Sequence, residues 1–117
     1  MRTRNAVIKQ THLGTKWTDH GVMSYGIAVE GDGWGVTFGM TAIDTPVKDE
    51  SGKFIGRRGT AYGCETIRLI CDLFGCNWED LPGQHCRVRI EDERAVAIGH
   101  FTKDVWFQPD DAKLPED

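Results

Sequence analysis

The chain has no apolar run approaching the roughly 18 residues of a membrane span, so no span is expected. Nor does it have a surplus of positive charge. Its 14 Lys and Arg stand against 18 Asp and Glu, for a net charge of −4. That balance does not supply the broad basic face that duplex DNA demands, although a local basic patch remains compatible with it. Only a short apolar stretch follows Met1-Arg2-Thr3-Arg4-Asn5, so no signal peptide is expected. A chain kept in the cytoplasm holds its four cysteines, Cys64, Cys71, Cys76 and Cys86, as reduced thiols.

The motifs of common chemistries are missing too. The glycines near Lys53 are not followed by Gly-Lys-Ser/Thr, so no phosphate-loop hydrolysis is implied. Ser24 and Ser51 lack the Gly-x-Ser-x-Gly setting of a nucleophile elbow. Cys71, Cys76, His85 and Cys86 do not have the paired spacing of a zinc ribbon or knuckle. Cysteines in the core, with Cys64 and Cys71 on a buried helix face, are the preferred reading. His12, Asp19, His20 and Asp44 would meet near one sheet end, but without a metal-ligand pattern they read as turn and surface residues. No cofactor, metal or enzymatic role is therefore expected.

What is present is a single 117-residue domain with 39% hydrophobic residues, enough for one modest core. Val7-Ile8-Lys9 reads as a short strand. Val22–Glu30 and Trp34–Ala42 read as a hairpin around Gly31-Asp32-Gly33, since such turns need positive φ. In the second strand Trp34, Val36, Phe38 and Met40 share one face by the period of two. Ile43–Gly59 reads as a long loop. Thr60 then caps an amphipathic helix ending at Phe74 and stopped by Gly75. Gly63, Ile67, Ile70, Cys71 and Phe74 fall on its inner face, with Glu65, Arg68 and Asp72 opposite. Residues 77–83 make a helical turn closed by Pro-Gly. Cys86–Ile90 and Arg94–Phe101 are two further strands, with Trp106-Phe107 at an edge. Residues 108–117 read as a loose acidic tail after a 1–107 domain. The expected class is α+β: a twisted antiparallel sheet of about five strands with one helix across a face.

One corner of this plan points toward function. Lys53, Arg57 and Arg58 lie just ahead of the helix start at Thr60, where the macrodipole contributes about half a positive charge. Backbone N–H groups and an arginine fork there can hold an anion, and a solvated basic loop explains the same residues. The candidate binding set is Lys53, Arg57, Arg58, Thr60 and Arg68. Arg87 and Arg89, pointing away from the core beside exposed aromatics, would suit single-stranded nucleic acid. Trp17, Trp34, Trp78 and Trp106 are many for so small a chain, whether they fill the core or mark an interface. A homodimer is the default way to cover leftover apolar surface.

The runs Gly56-Arg57-Arg58-Gly59-Thr60-Ala61-Tyr62-Gly63, Glu65-Thr66-Ile67-Arg68 and Trp78 through His85, with Thr11-His12-Leu13-Gly14 and Asp19-His20-Gly21, resemble small uncharacterised proteins of tailed phages and prophages. The similarity covers residues 7 to about 91 and carries no catalytic residues. It implies a phage or prophage origin. It also implies non-catalytic binding to a host or defence-system macromolecule, as an anti-defence or anti-CRISPR-like inhibitor. A binder of a nucleotide or cyclic nucleotide through its phosphate is the alternative.

Overall fold

The computed structural model describes residues 1–16 and 20–113. Trp17 and Asp19 lie outside them. Eight strands and one long helix follow in chain order: β1 (Arg2–Gly14), β2 (Ser24–Gly31), β3 (Trp34–Ala42), β4 (Asp44–Lys48), β5 (Phe54–Gly59), α1 (Ala61–Phe74), β6 (His85–Glu91), β7 (Arg94–His100) and β8 (Trp106–Phe107). Short 3₁₀ turns span Trp78–Asp80 and Pro109–Ala112. The fold is α+β, with a six-stranded antiparallel sheet in the order β3-β2-β1-β6-β7-β8 and a separate two-stranded sheet of β4 and β5. Among the described residues no helix is long and apolar enough to cross a membrane.

β1 is far longer than the short strand expected around Val7. Its first half pairs with β6 through Arg2–Val7, and its second half pairs with β2 through Val7–Gly14. One strand thus serves both halves of the sheet. The polar alternation Arg2-Thr3-Arg4-Asn5 hides the first half, because its outward residues face solvent. The sheet curls until β3 approaches β7. Tyr25, Phe38 and Phe107 fill the inside, with Phe38 edge-on to both rings at centroid distances of 6.3 and 6.0 Å. Such pairs add about 0.5–1.5 kcal/mol beyond the area they bury. Trp78 also meets Tyr25 edge-on, at 6.3 Å.

The alternation along β3 breaks at its end. Gly26 pairs with Gly39 and Tyr25 with Thr41, which leaves Met40 as an extra residue at φ 62°. This bulge turns Gly39 inward, where any side chain would strike the Tyr25 ring, and sends Met40 outward beside Gly26 and Thr37. Met40 therefore does not share a face with Trp34, Val36 and Phe38, as simple period-two reading expects.

The helix begins as expected. Thr60 Oγ1 accepts from the Gly63 N–H at 2.9 Å, and Gly75 closes the far end at φ 66°. The buried stripe is Gly63, Thr66, Ile70 and Leu73, rotated from the expected one. Cys64 is exposed and Cys71 only half-buried, so neither is a core residue as expected. Cys86 is in the core, and burial pushes its thiol pKa up to about 12. The helix rests on β7, β8 and the 109–112 turn, which buries Ala112. Residues 108–113 are thus part of the domain and not a loose tail. The Asp111 carboxylate accepts from the Gln108 N–H at 3.0 Å and holds that turn.

A candidate binding site at the base of a hairpin arm

Residues 43–59, expected as a loop, form an antiparallel hairpin. Thr45 pairs with Arg58, Pro46 with Arg57 and Val47 with Gly56. Its turn is ordered by Asp49, whose carboxylate accepts from the Ser51 N–H, the Ser51 hydroxyl and the Lys53 N–H at 2.7–2.9 Å. Those bonds, the Ser51 hydroxyl first, hold the Asp49 carboxyl below its usual range. The hairpin packs on itself and makes only sparse contact with other elements. Phe54 and Ile55 at its outer end are 54% and 60% exposed, among the most exposed large apolar side chains described. It is an arm.

The arm is fastened at its base. Arg57 donates from Nε and Nη2 to the two oxygens of Asp44, at 3.0 and 2.8 Å. The Met23 N–H donates to Asp44 Oδ2 at 3.0 Å, and the Ile43 N–H donates to the Met23 carbonyl at 2.8 Å. The Arg57 guanidinium, with the Met23 amide, holds the Asp44 carboxyl below the usual carboxylate range. Thr60 Oγ1 also donates to the Ile43 carbonyl at 3.0 Å, so its hydroxyl is engaged on both sides. Gly63 lets the helix lie against Ile43, because a Cβ there would overlap the Ile43 carbonyl oxygen.

Between this base, the helix start and the ends of β1 and β2 lies a cleft of about 700 Å³. Leu13, Met23, Ile43 and Ile67 form mostly apolar walls, within the size range of small-molecule pockets. Of the five residues expected to bind, Arg57, Arg58, Thr60 and Arg68 border this cleft. Lys53 does not; it sits at the arm turn. The four do not present equal charge. Arg57 is paired with Asp44, and Arg68 with Glu65 and Asp72 along the exposed helix face. Arg58 is exposed and has no ion-pair partner among the described residues. The anion-binding corner is thus reduced to one uncompensated guanidinium beside an apolar cleft.

The other sequence candidates are placed elsewhere. Trp106 lies over Gly99, with the Arg87 and Arg89 guanidinium carbons 4.8 and 3.9 Å from its ring centre. Arg87 also donates to the His100 and Lys103 carbonyls at 2.8 and 2.7 Å. These arginines are engaged in fastening β8. Trp34 carries the Arg4 guanidinium at 4.5 Å. His12 Nε2 lies 3.2 Å from Ser24 Oγ, the Asp44 carboxylate is taken by Arg57 and the Met23 N–H, and Asp19 lies outside the described residues. Among the described residues no three His, Cys, Asp or Glu side chains are grouped to hold a metal ion.

Sequence reasoning missed Asp44 as an anchor and Phe54-Ile55 as an exposed pair. Two adjacent large apolar residues inside an otherwise polar stretch were the available signal. No protein-family model, curated protein or solved structure matches this chain.

Proposed function

We propose that the chain is a phage-type accessory protein that acts by non-catalytic binding, with the arm and its basal cleft as the surface offered to a host or defence-system macromolecule. One observation carries this reading: a hairpin that adds little to its own fold yet exposes two large apolar side chains and one unpaired guanidinium. A lone hairpin is marginal in water, so an arm of this kind gains order from what it docks on. The phage-protein resemblance supports the partner class. The test is phage plating on host strains carrying defined defence systems, CRISPR among them. Expression of the chain should raise plating on at least one strain by tenfold or more, and Arg58→Glu should remove the gain. No rescue on any strain would sink the anti-defence reading.

The cleft volume gives the small-ligand alternative its support. A nucleotide phosphate would find Arg58 there, while Arg57 and the Thr60 hydroxyl are engaged internally. A bound nucleotide at a hundredfold excess over Kd should stabilise the fold by about 2.7 kcal/mol in a thermal-shift screen. A flat screen at millimolar nucleotide removes that alternative and leaves the macromolecular one.

A further inference from the structure

The arm carries an exposed apolar pair at one end of β5 and an apolar cleft at the other. Among the described residues β5 pairs with β4 on one side only, and its other edge is unpaired. β4 carries Pro46, which has no N–H to give to any neighbour; β5 has no proline. The available edge for pairing is therefore that of β5. The cleft opens at the inner end of β5, beside Arg58 and Gly59, and the apolar pair sits at its outer end.

We infer that two copies of this chain pair their β5 edges antiparallel about a two-fold axis and place Phe54 of each in the cleft of the other. An axis passing between Gly56 and Arg57 sets Ile55 opposite Arg58, Phe54 opposite Gly59 and Lys53 opposite Thr60 of the second copy. Gly59 has no side chain to obstruct Phe54, and the space where its Cβ would stand is open. The two hairpins become one four-stranded sheet, β4-β5-β5-β4. That supplies the hydrogen bonds and the apolar cover that a two-stranded arm lacks alone. The interface is isologous, so it closes at two copies and does not propagate into fibres. The pairing covers the same arm and cleft, so an outside macromolecule that docks there competes with the second copy.

Cys64 makes the inference testable, because this exposed thiol borders the cleft. Within one chain, residue 54 is at the far end of β5 from it. In a Phe54→Cys variant, mild oxidation should yield a species of twice the 13.1 kDa chain mass on a non-reducing gel. Adding Cys64→Ser should abolish it. A link that survives Cys64→Ser would be a tip-to-tip collision and would overturn the placement, as would failure to cross-link at all. Independently of any cysteine variant, the unmodified chain should sediment at twice its chain mass at micromolar concentration. Phe54→Asp should sediment at the single-chain mass with its circular dichroism retained. A single-chain mass for the unmodified protein overturns the inference. These readouts involve no outside partner, so plating experiments and this one fail separately.

Discussion

The body and the arm are built from the same kind of element, antiparallel β-structure, but they hold their shape for opposite reasons. In the body, strand pairing encloses Tyr25, Phe38, Ile98 and Phe107, each no more than 2% exposed. The backbone hydrogen bonds there are shielded by a filled interior. In the arm, strand pairing encloses nothing. Its order rests on the Asp49 turn at one end and on the Asp44–Arg57 pair at the other. Hydrophobic burial thus maintains one region, and local polar contacts the other. A protein can hold a projecting element in place this way without making its fold depend on that element.

The contrast can be broken most forcefully from the body side. Phe38→Ala removes a ring packed between two others and should lower the unfolding free energy by about 3–5 kcal/mol in chemical denaturation. A loss under about 1 kcal/mol would mean that the curled interior is not the source of stability. Asp44→Ala acts at the base of the arm. It leaves Arg57 and the Met23 N–H without their acceptor, so amides in 44–48 and 54–59 should exchange at least about tenfold faster while those of β1, β2 and β6 keep their protection. Equal acceleration in both regions would refute the separation.

Acid offers a reversible version of the same cut. The folded Asp44 pKa lies below its ordinary 3.8, so the folded state binds this proton less readily than the unfolded chain does. The contact is therefore complete above that value and is lost as pH falls through the lower folded one. In an NMR titration from about pH 5 to about pH 2, the amides of Met23, Asp44 and Arg57 should hold their positions until the pH falls below 3.8 and then move together; movement above that value would mean that Arg57 does not hold the carboxyl down. Smaller effects sharpen the comparison. The Thr66 hydroxyl is buried with no hydrogen-bond partner among the described residues, and Thr66→Val should stabilise the body by about 1 kcal/mol. Ile55→Ser, at the exposed end of the arm, should change single-chain stability by less than about 0.5 kcal/mol. A larger change at constant oligomeric state would show that the arm end packs on its own chain.

The body was largely legible in the residues, and the arm was not. The hairpin at Gly31-Asp32-Gly33, the capped helix from Thr60 to Gly75 and the alternation in β6 announce themselves through turn chemistry and period. These signals arise because one face of each element meets a core. β4 and β5 have no core face, and with Pro46, Gly56 and Gly59 among their residues they carry no alternation to read. The helix stripe was misplaced for a related reason. Thr66 occupies an inward position that polarity alone assigns to solvent, while Cys64 and Cys71 look more buried by type than they are. The corner around Arg57, Arg58, Thr60 and Arg68 was found, but not its division of charge. That division depends on Asp44, 13 residues before Arg57 and brought to it by a hairpin the pattern did not reveal.

The molecule measures 51 × 29 × 28 Å. An object so much longer than it is wide meets more friction than a sphere of the same mass. It leaves a gel-filtration column ahead of round standards and tumbles unevenly about its long and short axes. A lone chain would thus pass for something heavier by elution volume. Light scattering, which weighs particles regardless of their outline, is the measure by which this chain should be counted.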